Sequence, residues 1–220
     1  MWIKICGISN IKTAADVTKF APDAIGLNFY PHTPRTVSVD MAAEITQNLP
    51  RKIDPVGLFV DESVQMIGET CRQISLRTIQ LHGNESPEFL RDLAHQDDDL
   101  RIIRAWRLGP EGLQPLGDYL DRLNDLGIRL LACLIDARVE GKHGGTGTTV
   151  DWSGLADDYR RDEWPPMILA GGLHPGNVAG AINIVQPWGV DVASGVESSP
   201  GQKDASLVEQ FIDAAREAFS

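Results

Sequence analysis

The hydrophobic residues of this chain recur in short runs that are separated by longer stretches of mixed polarity. Eight of these runs are rich in branched apolar side chains and have the length of buried β-strands. They lie at residues 2–6, 24–29, 55–60, 77–81, 101–106, 129–136, 167–171 and 189–194. The stretches between them carry apolar residues at helical spacing, and several begin with Ser or Asp, which are preferred helix N-caps. The pattern therefore predicts strands and helices in alternation.

This alternation predicts the α/β fold class, with parallel strands joined by helical crossovers. Eight units of about 27 residues each fit a small (β/α)8 barrel, or TIM barrel. An open doubly wound sheet is the rival fold, but the chain has neither GxGxxG after the first strand nor GxxxxGK[ST] anywhere. Because no internal repeat or linker marks a second domain, we expect residues 1–220 to form a single barrel domain.

Charge and hydropathy exclude several classes of partner. The chain has 31 acidic residues against 20 basic ones, a formal net charge of -11, and no basic patch that would attract a nucleic acid. The longest wholly apolar run, residues 130–135, is far shorter than the roughly 20 residues that span a bilayer. The first residues do not have the pattern of a signal peptide. We therefore expect a cytoplasmic protein without nucleic-acid or membrane partners, as a monomer or homodimer.

The cysteines and histidines do not show the spacing of a disulfide framework or a metal site. Cys6, Cys71 and Cys133 form no CxxC pair, and their odd number is typical of a reducing compartment. The five histidines show neither HxxxH nor HExxH spacing, so we expect no metal. We interpret Cys71 and Cys133 as packing residues, and Cys6 as a candidate for chemistry because of its position.

In a (β/α)8 barrel the active site lies at the carboxyl ends of the strands, so the residues that end each run are functional candidates. These candidates are Cys6, Asn28 or Phe29, Asp61, His82, Trp106, Asp136, Gly171 with Gly172, and Ser194 with Gly195. Because side chains alternate along a strand, Lys4 shares the face of Cys6, and Leu134 shares the face of Asp136. The thiol and the carboxylate can therefore project into one barrel mouth.

The motifs in this order are similar to those of a known family. "KICGI", "TPRTV", "VGLFVD", "IQLHG", "LIDARVEGKHGGTGTTVDW", "ILAGGLHPGNV", "GVDVASGVES" and "GQKD" resemble the phosphoribosylanthranilate isomerase family of tryptophan biosynthesis over essentially the whole chain. A Cys after strand one together with an Asp after strand six separates this family from its barrel relatives. The resemblance implies an intramolecular oxidoreductase of the aldose-ketose type that needs no cofactor.

The resemblance also implies the reaction and the catalytic pair. N-(5-phosphoribosyl)anthranilate undergoes an Amadori rearrangement to 1-(2-carboxyphenylamino)-1-deoxyribulose 5-phosphate. An acid must protonate the furanose oxygen to open the ring, and a base must then remove the proton from C2′. By resemblance, Asp136 is the acid and Cys6 is the base. The acid must hold a proton, which predicts an apolar or anionic setting for Asp136.

Further residues follow from the resemblance as the binding site for this phosphosugar-anthranilate substrate. Arg35 would hold the anthranilate carboxylate, since a guanidinium can donate two parallel hydrogen bonds. Thr33 stands where the family usually has Ser and keeps a hydroxyl. Phosphate binding would fall to glycine-rich loops, whose backbone N–H groups can approach an anion, and His82 either touches the substrate or is structural. The loop residues are Gly144, Gly145, Gly171, Gly172, Ser194 and Gly195.

Two features of the predicted site leave alternatives open. Strand eight neighbours strand one in a closed barrel, so we expect Asp191 to pair with Lys4. Lys4 would then either favour the thiolate of Cys6 or simply neutralise Asp191 in the interior. The long segment 137–150 is either a mobile lid or an ordered wall.

Two other functions compete with the isomerase. One is another phosphosugar enzyme, such as an isomerase of histidine biosynthesis or an indole-forming synthase; the histidine-pathway enzyme uses an Asp on strand one. The other is a catalytically silent barrel that binds a phosphorylated metabolite or a partner enzyme. The presence of both Cys6 and Asp136 favours the isomerase over these alternatives.

Overall fold

The structure, a computed structural model, describes residues 1–137 and 151–219. Eight parallel strands close into a barrel in chain order, with the last strand paired to the first. They are β1 Trp2–Cys6, β2 Ala24–Asn28, β3 Asp54–Phe59, β4 Thr78–Leu81, β5 Arg101–Arg107, β6 Ala132–Asp136, β7 Met167–Ala170 and β8 Gly189–Val192. The predicted (β/α)8 barrel is confirmed, and each strand overlaps the run that predicts it.

A helix follows each barrel strand along the chain. The helices are α1 Ile11–Thr18, α2 Val39–Gln47, α3 Val64–Ile74, α4 Pro87–Ala94, α5 Gln114–Asp125, α6 Trp152–Asp158, α7 Val178–Val185 and α8 Ala205–Ala218. Ser38, Ser63, Ser86 and Asp204 act as N-caps, since the side chain of each accepts a hydrogen bond from a backbone N–H in the first turn. The Ser and Asp residues that open the polar stretches therefore fix where these helices begin.

The strands bury two different faces. Outward side chains such as Ile3, Ile5 and Ile135 join the large apolar cluster between the strands and the helices. A smaller apolar cluster fills part of the barrel interior; its buried members are Ala24, Val56, Ile103, Ala105, Ala132, Leu134, Ile168 and Ala170. Lys4 and Asp191 are direct neighbours across β1 and β8. The alternation predicted for β1 and β6 is confirmed.

A short hairpin between β8 and α8 was not predicted. A 3-10 helix, Ser194–Val196, follows β8, and β9 Glu197–Ser199 then pairs antiparallel with β10 Gln202–Lys203. Gly201 turns the hairpin at φ 82°, a conformation that favours glycine. The hairpin lies beside the carboxyl end of the barrel, where it contacts the loop that follows β2.

Within residues 1–137 and 151–219, no helix is long and apolar enough to cross a membrane.

Candidate active site

A cavity of about 460 Å³ opens at the carboxyl ends of the barrel strands. It is lined by the catalytic and binding residues that the resemblance implies in the described part of the chain, namely Cys6, Arg35, His82, Asp136, Gly171, Gly172, Ser194 and Gly195. The predicted residues Gly144 and Gly145, and the segment 138–150 that holds them, lie outside the described residues. The structure thus brings together side chains from β1, β4 and β6 with loops that follow β2, β7 and β8.

Cys6 ends β1 and points into this cavity beside two buried charges. Lys4 is fully buried, and its Nζ lies 2.8 Å from Asp191 Oδ1. The predicted pairing of Lys4 with Asp191 is therefore confirmed. Gly26 on β2 leaves room for the thiol, because a Cβ there would lie 2.6 Å from Cys6 Sγ. An alanine at position 26 would have to displace the sulfur.

Burial and charge oppose each other at the thiol. Burial raises the pKa of Cys6 above its ordinary value, and Asp191 acts in the same direction. Lys4 and Lys203 act to lower the pKa of Cys6, but burial outweighs them. Burial also acts to lower the pKa of Lys4, and here the nearby Asp191 and Cys6 outweigh it, so that this pKa is raised. These surroundings therefore favour a charged Lys4 beside a neutral thiol.

Asp136 ends β6 and faces His82, which directly follows β4. His82 Nε2 lies 3.9 Å from Asp136 Oδ2, and His82 Nδ1 lies 3.0 Å from Gln80 Nε2. Burial lowers the pKa of His82, although Asp136 acts to raise it, so the imidazole is neutral near pH 7. A neutral imidazole that accepts from Gln80 carries its proton on Nε2, towards Asp136. Asp136 thus lies near a neutral imidazole, and the apolar or anionic setting that the sequence predicts for it stays a prediction.

Arg35, on the loop after β2, is held by an ion pair that was not predicted. Its Nε lies 2.8 Å from Glu197 Oε1 and its Nη2 lies 2.6 Å from Glu197 Oε2, which is a bidentate arrangement. Lys203 Nζ also lies 2.7 Å from Glu197 Oε1. The side chain of Arg35 is 23% exposed, and it lines the cavity.

Two glycine-containing loops form part of the cavity wall. Gly171 and Gly172 follow β7, and Ser194 and Gly195 open the 3-10 helix after β8. The two loops are tightly packed, since a Cβ on Gly195 would overlap the carbonyl oxygen of Leu173. Backbone N–H groups can therefore come close to a bound anion on this wall.

The chain matches the family model described as "N-(5'phosphoribosyl)anthranilate (PRA) isomerase" over residues 3–214. The chain belongs to this isomerase family. A curated relative from Trichlorobacter lovleyi, named N-(5'-phosphoribosyl)anthranilate isomerase, is 38% identical over 218 residues, which cover 99% of this chain and 98% of the relative.

Solved structures of the same family resemble the fold over its full length. Phosphoribosyl anthranilate isomerase from Thermotoga maritima superposes with a TM-score of 0.83 at 35% identity, covering 99% of both chains. A second structure, with a TM-score of 0.80 at 34% identity and 99% coverage of both chains, is a phosphoribosyl anthranilate isomerase in complex with reduced 1-(o-carboxyphenylamino)-1-deoxyribulose 5-phosphate. The chain is thus an isomerase of tryptophan biosynthesis that carries out the Amadori rearrangement of N-(5'-phosphoribosyl)anthranilate.

Three strand-end candidates lie outside this isomerase cavity. Trp106 packs near Tyr119 and Arg104, and Phe29 stacks on Phe59. Asp61 accepts a hydrogen bond from the backbone N–H of Asn84. These side chains hold loops and helices around the site, while Asn28 lines the cavity as predicted.

Sequence reasoning missed five polar side chains at or beside the cavity: Tyr30, Gln80, Arg107, Glu197 and Lys203. Gln80 lies two residues before His82, so counting by two along β4 would have found it. Arg107 follows Trp106 at the end of β5 and lines the cavity. Glu197 and Lys203 lie in motifs that the resemblance quotes, but no local pattern indicates their partners. Among the described residues, no cluster of three or more His, Cys, Asp or Glu side chains could hold a metal ion.

Proposed function

We propose that Cys6 and Asp136 are the base and the acid of the isomerase reaction, within one barrel domain that spans residues 1–220. The observation that carries this proposal is that a thiol on β1 and a carboxylate on β6 line one cavity, which a guanidinium and two glycine-containing loops also line. This set matches the substrate, which has a carboxylate at one end, a phosphate at the other and a ring to open between them.

Asp136 opens the furanose ring. Its proton passes to the ring oxygen while the C1′–O bond breaks, and the lone pair of the anthranilate nitrogen forms the C=N bond of a Schiff base. We expect His82 to support this step as a neutral donor; its Nε2 lies 3.9 Å from Asp136 Oδ2, a distance that must shorten for a hydrogen bond to form. The imidazole thereby orients the carboxyl group towards the sugar.

Cys6 removes the proton from C2′ of the Schiff base. The electrons of that C–H bond move towards the iminium nitrogen, which gives an enolamine that tautomerises to the ketone. A thiolate is the active form, and Lys4 and Lys203 both act to lower the pKa of Cys6. The positive iminium adds to these cations when the substrate is bound, so proton loss from Cys6 becomes easier as the reaction proceeds.

Two different sets of residues bind the two ends of the substrate. Arg35 donates to the anthranilate carboxylate, and the loops that contain Gly171, Gly172, Ser194 and Gly195 bind the phosphate through backbone N–H groups. Gly144 and Gly145 remain proposed phosphate contacts. The closely packed loops after β7 and β8 correspond to the usual phosphate site of this barrel.

The loss of anthranilate-type fluorescence on freshly prepared phosphoribosylanthranilate tests the acid and the base. We expect Cys6→Ser and Asp136→Asn each to lower kcat by about 10²- to 10⁴-fold, the range of general acid–base catalysis. Cys71→Ser is the matched control, because Cys71 is a buried thiol on α3 remote from the cavity.

A folded Cys6→Ser or Asp136→Asn variant with near-parental kcat would contradict the assignment. No turnover by the parent, together with tight binding of the product, would instead indicate a silent barrel. Turnover of an aminoimidazole substrate by the parent would indicate an additional histidine-pathway activity.

A further inference from the structure

A buried carboxylate lies between two cations beside the cavity, and the reaction described above does not use it. Glu197 begins β9, and its side chain is only 3% exposed. One of its oxygens lies 2.8 Å from Arg35 Nε and 2.7 Å from Lys203 Nζ, and the other lies 2.6 Å from Arg35 Nη2. Two cations and one anion leave a net positive charge of one, which suits a singly charged carboxylate.

The bidentate contact fixes the plane of the guanidinium. Arginine has five N–H donors, and Glu197 engages one on Nε and one on Nη2. The remaining donors lie on Nη1 and Nη2, and they form an edge that matches a second carboxylate. Glu197 thus leaves Arg35 able to bind an anion with two hydrogen bonds, and it limits the orientations of the side chain.

Lys203 holds Glu197 from the other side. Its Nζ donates to the carbonyl oxygen of Ala193 at 2.9 Å as well as to Glu197, and its side chain is only 1% exposed. Burial acts to raise the pKa of Glu197, but hydrogen bonds from Arg35 and Lys203 outweigh it and lower this pKa. Glu197 is therefore a stable anion at neutral pH, and it is anchored to the loop that continues into Ser194.

The backbone of the hairpin adds a third support. The N–H of Gly201 donates to Glu197 Oε2 at 3.2 Å. Gly201 also lies against the loop that carries Arg35, since a Cβ there would lie 2.5 Å from the carbonyl oxygen of Pro34. The β9–β10 hairpin therefore contacts both ends of the Arg35–Glu197 pair.

We propose that Glu197, held by Lys203 and the β9–β10 hairpin, is a positioning residue that presents Arg35 to the ring carboxylate of the substrate. The inference rests on the proposed role of Arg35. It assigns Glu197 no contact with the substrate, so its effect is confined to ligands that carry the carboxylate.

Two ligands separate this role from general stability. Calorimetry measures the Kd of reduced 1-(o-carboxyphenylamino)-1-deoxyribulose 5-phosphate and of the same molecule without its carboxyl group. The ratio of the two Kd values reports the contribution of the carboxylate alone. For the parent we expect a ratio of about 100, since charge-assisted hydrogen bonds to a half-buried arginine are strong.

The decisive variant is the double substitution Glu197→Gln/Lys203→Met. It removes one anion and one cation, so the net charge beside the cavity is unchanged and simple attraction of an anion is not altered. We expect the ratio to fall about tenfold, because the guanidinium is no longer held in plane. Any loss of phosphate affinity through the broken contact from Lys203 to Ala193 affects both ligands alike and cancels in the ratio.

The outcomes are distinct. An unchanged ratio overturns the proposal, and a larger ratio shows that Glu197 instead competes with the substrate for Arg35. If the parent binds both ligands with the same Kd, or if Arg35→Met keeps the parental ratio of Kd values, then the proposed role of Arg35 fails. Should the double variant not fold, Gly201→Ala is the second test. It keeps all three charges but displaces the hairpin from Pro34. A ratio of Kd values about threefold lower than that of the parent supports the proposal, and an unchanged ratio overturns it.

Discussion

The outward and inward faces of β1 are equally buried but chemically opposite. Ile3 and Ile5 face the helices and are at most 1% exposed, within a large apolar cluster. Lys4 and Cys6 face the interior with at most 5% exposure. The outward face stabilises the fold without any reactive group, whereas the inward face holds a charge and a thiol whose burial has a free-energy cost. Burial alone therefore does not distinguish a core residue from a functional one.

The polarity of the barrel interior changes along the barrel axis. Ala24, Val56 and Ile168 belong to the apolar interior cluster, against which Trp2 packs, and Trp2 in turn stacks on Trp188. Lys4 is a charged residue beside this apolar interior, and it pairs with Asp191, which lines the cavity at the carboxyl end. Charges in the barrel occur where a partner of opposite charge is available, as expected for buried ions.

Breaking the interior ion pair should have the largest effect on stability. Lys4→Met leaves Asp191 without its partner, and we expect the free energy of unfolding to fall by about 3–5 kcal/mol. Urea unfolding measures this loss. Lys4→Met/Asp191→Leu removes both charges and should recover most of the stability, so a double variant as unstable as the single one would contradict this account.

An outward substitution on the same strand should affect stability alone. Ile5 is fully buried against the helical layer, so Ile5→Ala should lower the free energy of unfolding by about 2–5 kcal/mol through the cavity it creates. The kcat of the folded fraction should stay within about twofold of the parent, because the site faces the other way. Ile135→Ala on β6 is the matched comparison. A large loss of kcat in a folded Ile5→Ala variant would show that the outward face also shapes the site.

The pH dependence of the thiol sharpens the contrast on the inward face. Because the pKa of Cys6 is raised, the ultraviolet absorbance of its thiolate, taken as parent minus Cys6→Ser, should have its midpoint at a higher pH than that of the thiol in the unfolded chain. The folded state binds this proton more tightly than the unfolded state, so its contribution to stability is present below the pKa of the unfolded thiol and is lost as the pH rises through the folded pKa.

Lys4→Met then tests whether Lys4 tunes the thiol. Removal of the cation should raise the pKa of Cys6 further, because Lys4 acts to lower it. An identical titration in the parent and in Lys4→Met would favour the alternative that Lys4 only neutralises Asp191.

The smallest expected effect is at Gln80, an inward residue that touches the site through another side chain. Gln80→Leu removes the contact to His82 Nδ1, and we expect kcat to fall about fivefold, the value of one neutral hydrogen bond of about 1 kcal/mol. KM should stay within about twofold. The ¹⁵N chemical shifts of His82 would report its tautomer directly. An unchanged kcat would show that loop packing alone holds the imidazole.

Much of the site could be predicted because it depends on the order of the strands and on the alternation of side chains along each strand. Cys6 and Asp136 end apolar runs, and the alternation of side chains along a strand turns both residues inwards in any parallel barrel. The pairing of Lys4 with Asp191 also follows from closure of the barrel, because closure places β8 beside β1. In contrast, Trp106, one residue before the end of β5, and Asp61, two residues beyond β3, lie outside the cavity, because a position near a strand end does not fix the direction of a side chain.

The sequence by itself determined the barrel, the end at which its site lies and the strands that supply the thiol and the carboxylate, since periodicity and strand order carry that information. The tertiary structure alone decided that Arg35 meets Glu197, a residue 162 positions away, across a hairpin that no local pattern marks. It also decided that burial outweighs Lys4 in raising the pKa of Cys6. Both depend on which groups surround a side chain once all the strands have closed, and desolvation and ion pairing act over those distances rather than along the chain.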